Sequence, residues 1–528
     1  MRNRNNRGTE EMSGSRPGRV VMLVDNTIDG DSRVQKSARA MAEAGWEVHL
    51  IGRAPASGPD TYQIGDAQIH RLSLKRLPPR TTLRKRVAKL RYPLAYKNQE
   101  KALLKTRTIK VQWAELEMSS AGPDARTGIA RSPRTTQLPL LAQRTAGKLR
   151  RGAIKARVQQ TKHRAANWGD KDGAWEEVER RFWSSTMGDR AWRRLDPLPL
   201  RYELSYRDKI EELRPDLIHA HDFRMIGVAA RAAVRARRAG HNVRVVYDAH
   251  EFVPGLAQAN RSKKWLASQV AYEREHIGYV DAIVTVSPAL AEMLETAHGL
   301  AERPIVTLNA PPKLVPGTDD GTGWTTPEGA RDVRDACGLG PDTPLAVYCG
   351  GAAPQRCLHT IVESLQYSQD IHAAFMINNL DGDYVNSLRE LAAGLGVSER
   401  IHLMPYVPYD VLVRFLSTAD VGIHPLRKGP VNHEVALSTK FFEFMQARLP
   451  VVVSDVKAMS DEVTRVGNGE VFRSEDAKDL ARAVGMVLDD RDRYTQPYDR
   501  PGMLDEWSWE AQAEKYVVLY EKLLKDLA

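Results

Sequence analysis

The chain has 528 residues, a formal net charge of +10, 42% hydrophobic and 27% charged residues, and three cysteines. That length exceeds one ordinary core, so two large domains are expected, and the apolar-to-charged balance excludes a disordered chain. Cys337, Cys349 and Cys357 have no metal-ligand spacing and make no disulfide framework, the polar N-terminus lacks the apolar core of a secretory signal, and no apolar run approaches the ~18 residues of a membrane span. A cytoplasmic protein is the expectation.

Residues 1–18 read as a disordered tail. "RVVMLV" (19–24) is a buried strand, followed by the polar loop "DNTIDGD" and a helix over 32–44 with Val34, Ala38, Met41 and Ala42 on one stripe. Gly45 stops that helix and "WEVHLI" (46–51) is a second strand, which makes a β-α-β unit of the doubly wound kind. From 78 to 200 the rhythm breaks. Between Ala125 and Gly169 there is no acid, whereas Arg126, Arg131, Arg134, Arg144, Lys148, Arg150, Arg151, Lys155, Arg157, Lys162 and Arg164 are basic. This stretch reads as a basic, partly helical insertion, with Trp113, Trp168, Trp175, Trp183 and Trp192 among its bases. "DLIHAHD" (216–222), "VRVVYDAHE" (243–251), "DAIVTVS" (281–287) and "PIVTLNAPP" (304–312) resume the strands, and Ser287-Pro288 opens a helix as N-cap and N1.

A Gly/Pro/Thr-rich linker (313–330) separates a second alternating set. Its strands are "LAVYCGG" (345–351), "HAAFMIN" (372–378), "RIHLMPYV" (400–407), "VGIHPL" (421–426), "PVVVSD" (450–455) and "GEVF" (469–472), with helices over 358–367, 383–395 and 410–418. An amphipathic helix fills the last segment, 501–528. Within "STKFFEFMQARLPVVVSD" (438–455), Phe441, Phe444 and Met445 form a buried stripe, and Lys440 and Glu443, three apart, share a face near the first turn. Taken alone, that pair also reads as an exposed ion pair on a helix.

The series "VYCGGAAPQRCLHTIVESL", "IHLMPYVPYDVLVRFLSTADVGIHPL" and "TKFFEFMQARLPVVVSD" resembles the donor-binding half of GT-B glycosyltransferases, family four of the sequence classification. The first half is similar through "DSRVQKSARAMAEAGWEVHLIG", "YDAHE" and "DAIVTVSPALAEML". The resemblance covers 19–77 and 201–524 and leaves the insertion outside it. It implies an α/β GT-B architecture of two facing, doubly wound Rossmann-like domains. The first is expected at 19–312, acceptor-side and carrying the 78–200 insertion, and the second at 331–500, binding the nucleotide sugar. The 501–528 helix is expected to pack back toward the first.

The resemblance also implies residue roles. Glu443 accepts ribose hydroxyls, and Lys440 reaches the diphosphate at a helix N-terminus opened by Ser438 and Thr439. Gly350 and Gly351 let the backbone approach a pyrophosphate, Arg356 forks to its oxygens, and Val407 completes the donor-binding set. The family's arginine after the first glycine is Gly351 here, which leaves Arg356 and Lys440 to share the diphosphate. The first of the family's two glutamates falls on Val435. Glu434 beside it is the candidate sugar contact, with Asn432 and His433 as alternatives. His250 and Glu251, at the end of a buried strand, are expected to project into the cleft. There His250 lies near the reacting sugar, or else caps the strand structurally. Asp31 and Arg33 match a recurring D-x-R-V pattern on the acceptor side, although Arg33 also reads as the partner of a neighbouring acid.

His219 and His221 alternate to one side without a third ligand, and "DGD" (29–31, 381–383) is a three-residue match, so no metal and no cofactor beyond the sugar donor is expected. The expected partners are a nucleotide sugar, a glycan or lipid-linked acceptor and, through the basic insertion, the anionic inner face of the plasma membrane. Without a nucleic-acid-binding motif, that partner is not expected. The predicted function is retaining transfer of a sugar in surface polysaccharide or glycolipid assembly. The alternatives are a non-catalytic scaffold of the same fold and a nucleotide-sugar 2-epimerase.

Overall fold

The computed structural model describes residues 18–77, 89–119, 137–169, 174–257, 261–314, 325–326 and 329–525. The predicted tail up to residue 17, most of the linker (315–324) and parts of the insertion (78–88, 120–136, 170–173) lie outside the described residues. The chain divides into two compact units: Leu77–Thr186 with Gln258–Trp265, and the remainder.

Within the larger unit and among the described residues, β1 (Arg19–Leu23), β2 (Glu47–Arg53), β3 (Asp60–Ile64), β4 (Ala67–Leu72), β5 (Leu217–His221), β6 (Arg244–Ala249), β7 (Ala282–Thr285) and β8 (Ile305–Val306) form one sheet. Its order is β3-β4-β2-β1-β5-β6-β7-β8. A second sheet, ordered β11-β10-β9-β12-β13-β14, is built from β9 (Leu345–Gly350), β10 (His372–Ile377), β11 (Ile401–Met404), β12 (Val421–His424), β13 (Val451–Ser454) and β14 (Gly469–Phe472). All pairs are parallel except β3 with β4. Parallel sheets are covered by helices on both faces, which is why Val20–Leu23 and Val451–Val453 are continuous apolar runs with no exposed surface. In each sheet the order reverses beside the first strand, β1 or β9. The carboxyl ends of strands at such a switch point frame a crevice.

Three elements differ from expectation. The β3–β4 hairpin, turned by Gly65 at φ +56°, is an extra edge that the sequence reading missed. The predicted 304–312 strand is two residues long. Beyond Thr307 its backbone bonds instead to Gln512, which accepts from Leu308 N at 3.0 Å, to Lys36 and to the Trp509 amide, and Pro311 and Pro312 have no N–H to offer a ladder. Trp192, placed by sequence in the insertion, is buried in the larger unit, edge-on to Tyr272 at 4.8 Å.

The helix Trp509–Lys525 returns to the first sheet. Its Trp509, Tyr516, Leu519, Tyr520 and Leu523 share a core with Val20, Met22, Val48 and Leu50. The segment leading into it is tied beside the second sheet, where Gln446 Nε2 donates to the carbonyls of Leu504 (2.6 Å) and Trp507 (3.2 Å).

In the smaller unit the helices Gln99–Ser119 and Gln137–Gly169 pair. Arg157 and Arg164 donate to the carbonyls of Leu94, Tyr96 and Lys97, and Arg151 stacks on Trp113 at 5.2 Å. Leu103, Leu104 and Leu149 are more than half exposed beside these bases.

Candidate functional site

The larger unit holds a cleft of about 450 Å³. It is lined from the first sheet by Asp31, Arg33, His250 and Glu251, and from the second by Gly351, Arg356, Ser438, Thr439 and Lys440.

On the second-sheet wall, β9 ends in Gly350 at φ +142°. A β-carbon there would sit 3.0 Å from Lys440 Cε, and the backbone angle favours glycine whatever the space. The helix Thr439–Gln446 is fixed by Phe441, Phe442, Phe444 and Met445, all buried, and by Ser438, whose Oγ accepts from the Lys440 amide at 3.2 Å. That Oγ also bonds His424 Nε2 at 2.7 Å. Burial, followed by the charges of Arg356 and Lys440, pushes His424 down to about 3, so the imidazole is neutral and both cations lie close to it. Among the described residues, neither the Arg356 guanidinium nor the Lys440 amine has an ion-pair partner, and both face the cleft. Glu443, 4% exposed, lies one turn below Lys440 and does not line the cleft; its Oε2 accepts from the Cys349 thiol at 3.2 Å.

On the first-sheet wall, β6 carries Asp248 beneath His250. Arg33 donates Nε and Nη2 to the two Asp248 oxygens, both at 2.9 Å, Nη1 to the Thr307 carbonyl at 3.0 Å, and Nη2 to Tyr516 Oη at 2.7 Å. The Tyr516 hydroxyl donates to Asp248 Oδ2 at 2.9 Å. Burial would raise the Asp248 carboxyl, but Arg33 holds it well below the usual range. Arg33 therefore touches the cleft edge with four of its five N–H groups engaged inside the protein, so its main role is the pairing with Asp248 rather than the expected acceptor contact. Asp31 does open onto the cleft. It caps the helix Ser32–Glu43 through the Val34 amide and accepts from Asn26 at 2.7 Å. His250 Nε2 lies 3.5 Å from Asp248 Oδ2. Burial lowers its pKa, but the carboxylate more than offsets this and the net shift is upward. Asp222 caps the helix Phe223–Arg238 through the Phe223 amide, and burial raises it to about 7.

The short helix Val431–Val435 crosses from one wall to the other. Asn432 accepts from Phe252 N (2.8 Å) and donates to Phe252 O (3.1 Å), and Ser287 Oγ donates to Val435 O at 2.6 Å. Glu434 points away from the cleft: its oxygens accept from the amides of Gly429 (2.7 Å) and Lys457 (2.9 Å), capping the helix Lys457–Val466. This corrects its expected sugar contact, whereas Asn432 and His433, the alternatives, do line the cleft. Val407, 3% exposed, lies in a different cavity beside Tyr406 and Pro408.

Sequence reasoning missed His424, Tyr516 and Lys36. Lys36 is 3% exposed, donates to Asn309 Oδ1 (3.2 Å) and the Ala310 carbonyl, and sits 4.7 Å over Trp509; burial lowers it to about 7. Burial of a cation in an otherwise apolar helical stripe is the one signal that sequence offers for it. His219, His221 and Asp248 bring three potential ligands together, but both Asp248 oxygens are taken by Arg33 and Tyr516, so the cluster does not suit a metal ion.

Two family models match, "Glycosyltransferase Family 4" over residues 168–309 and "Glycosyl transferases group 1" over 331–500, together more than half of the chain. D-inositol 3-phosphate glycosyltransferase of Nocardia farcinica is 26% identical over 288 residues, 53% of this chain and 60% of its own length. The GDP-mannose-dependent alpha-(1-6)-phosphatidylinositol monomannoside mannosyltransferase of Mycobacterium tuberculosis is 26% identical over 309 residues, 57% of this chain and 76% of that one. The chain thus spans less than two thirds of the first of these relatives. Among solved structures, sucrose-phosphate synthase of Thermosynechococcus elongatus aligns over 96% of this chain and 100% of its own, with TM-score 0.58 and 14% identity. Anabaena HepE in complex with UDP-glucose aligns over 97% and 99%, with TM-score 0.52 and 13% identity. Those structural likenesses concern the fold.

Proposed function

Because the chain belongs to the GT-B glycosyltransferases of the family-four type, we propose that it transfers a sugar from a nucleoside-diphosphate donor to a hydroxyl acceptor. The observation that carries this reading is the pair of cations, Arg356 and Lys440, without ion-pair partners among the described residues and facing one cleft beside the Gly350–Gly351 turn and the N-terminus of the helix Thr439–Gln446. Cleaving a sugar–phosphate bond builds negative charge on the departing diphosphate, and preorganised cations, amides and a helix N-terminus lower the energy of that charge. Glu443 is the candidate hydroxyl acceptor for the ribose. His250, whose pKa is raised beside Asp248, is the candidate hydrogen-bond partner of the reacting sugar.

In this reading the transfer retains anomeric configuration, needs no metal, and serves cell-surface polysaccharide or glycolipid assembly from the cytoplasmic side. The names of the Nocardia and mycobacterial relatives, a D-inositol 3-phosphate glycosyltransferase and a phosphatidylinositol monomannoside mannosyltransferase, support an inositol-containing acceptor, soluble or lipid-linked. The exposed leucines and bases of the smaller unit support a peripheral contact with anionic lipid.

Calorimetry with UDP and GDP, followed by hydrolysis of a panel of nucleotide sugars, tests the core of the proposal. Binding of one diphosphate and turnover of its sugar are expected, and failure of both to bind favours a non-catalytic scaffold. Sedimentation with phosphatidylglycerol and phosphatidylcholine vesicles tests the lipid contact, and equal partitioning between the two removes it.

A further inference from the structure

The charges of the cleft are divided between its walls. From that division we infer that the acceptor enters with an uncharged, hydroxyl-bearing end and not with a phosphate monoester; this rests on the glycosyl-transfer reading above. The second-sheet wall supplies both unpaired cations, Arg356 and Lys440. The first-sheet wall presents Asp31 and Glu251, neither with an ion-pair partner among the described residues. Its one guanidinium, Arg33, is spent on Asp248, the Thr307 carbonyl and Tyr516.

The N-termini of long helices are ready-made phosphate sites, because their first amides point outward and the helix dipole favours an anion. Two such helices begin on this wall, Ser32–Glu43 and Pro288–His298, and each is closed by a side chain of the chain itself. Asp31 accepts from Val34 N, and Ser287 Oγ accepts from Leu290 N at 3.1 Å. A phosphate entering here would displace a covalently tethered cap or lie against it. His250 does not reverse the balance, since its proton would face Asp248 at 3.5 Å and Asp31 and Glu251 would remain. Hydroxyl groups fit the same wall, because ionised carboxylates accept from them and the imidazole can donate or accept.

The test uses the full chain saturated with whichever of UDP or GDP binds, so that the cations of the donor wall are occupied. Inorganic phosphate and myo-inositol 3-phosphate are then titrated by calorimetry into this complex and into its Glu251→Lys variant. The parent complex is expected to show no saturable uptake of either anion up to about 10 mM, and the variant is expected to gain affinity by about tenfold or more from the reversed charge. Saturable uptake by the parent overturns the inference. So does a variant that gains nothing, because the acceptor wall then lies elsewhere. If neither diphosphate binds the parent, the glycosyl-transfer reading itself falls, and this inference falls with it.

Discussion

Arg33 and Asp248, 215 residues apart in sequence, meet through two hydrogen bonds of 2.9 Å with side-chain exposures of 3% and 0%. The pair joins the first helix to β6 directly below His250, and Tyr516 of the last helix bonds both members. Removing one partner leaves a buried charge uncompensated, so Arg33→Ala should lower unfolding free energy by about 3–5 kcal/mol. Arg33→Lys should recover only part of it, because an ammonium cannot form the two-pronged contact. Urea denaturation checks both, and an unchanged midpoint for Arg33→Ala would contradict the pairing.

Glu443→Ala should raise donor KM by about tenfold or more, through loss of charge-assisted bonds to ribose worth about 1.5–3 kcal/mol each. The same variant deprives the Cys349 thiol of its acceptor, so Cys349→Ala serves as the structural control. Equal donor KM in Glu443→Ala and Cys349→Ala would remove the ribose role.

Lys440→Ala and Arg356→Ala should each reduce turnover by about 10²–10³, the usual loss when one preorganised donor to a developing anion is deleted. The double variant should lose less than the product of the two, since both act on one diphosphate. Steady-state kinetics with a saturating donor decides this. Full multiplicativity would place the two cations on separate groups.

Glu434→Ala should leave donor and acceptor kinetics within about twofold and cost about 1 kcal/mol of stability, as loss of a helix cap does. A large fall in turnover would return this carboxylate to the sugar.

Lys36 gives the fold a pH dependence. Its folded pKa of about 7 lies below the ordinary 10.5, with burial as the largest cause. Between those values the unfolded chain carries a proton that the folded chain does not, so this group makes stability rise with pH across that window. Below about 7 the buried amine is charged in both states and the slope vanishes. Thermal midpoints of the parent and Lys36→Met, measured across that range, should run parallel on the acid side, with the parent at its largest disadvantage, and draw together as pH rises above about 7. Curves parallel over the whole range would mean that the amine keeps its charge.

Much of the architecture was legible because buried parallel strands are written as unbroken apolar runs, as in 19–24 and 450–455. The β3–β4 hairpin escaped because an edge pair is half exposed and its alternation is mixed with polar residues. Lys440 could be placed because helical spacing fixes its face. Glu434 could not, because an irregular loop has no period, and a neighbour shift of one position turned its carboxylate onto the amides of Gly429 and Lys457. Nor does any local pattern announce that Tyr516 and Asp248 touch, or that Lys36 is enclosed by Trp509 and the Ala310 carbonyl.

The return of Trp509–Lys525 to the first sheet sets an order on the birth of the protein. β1 leaves the ribosome some hundreds of residues before Tyr516 and Tyr520, yet Tyr516 bonds Asp248 and Tyr520 bonds His219 at 2.6 Å. The sheet translated first therefore keeps its histidine-lined floor open until Trp509–Lys525 has followed it.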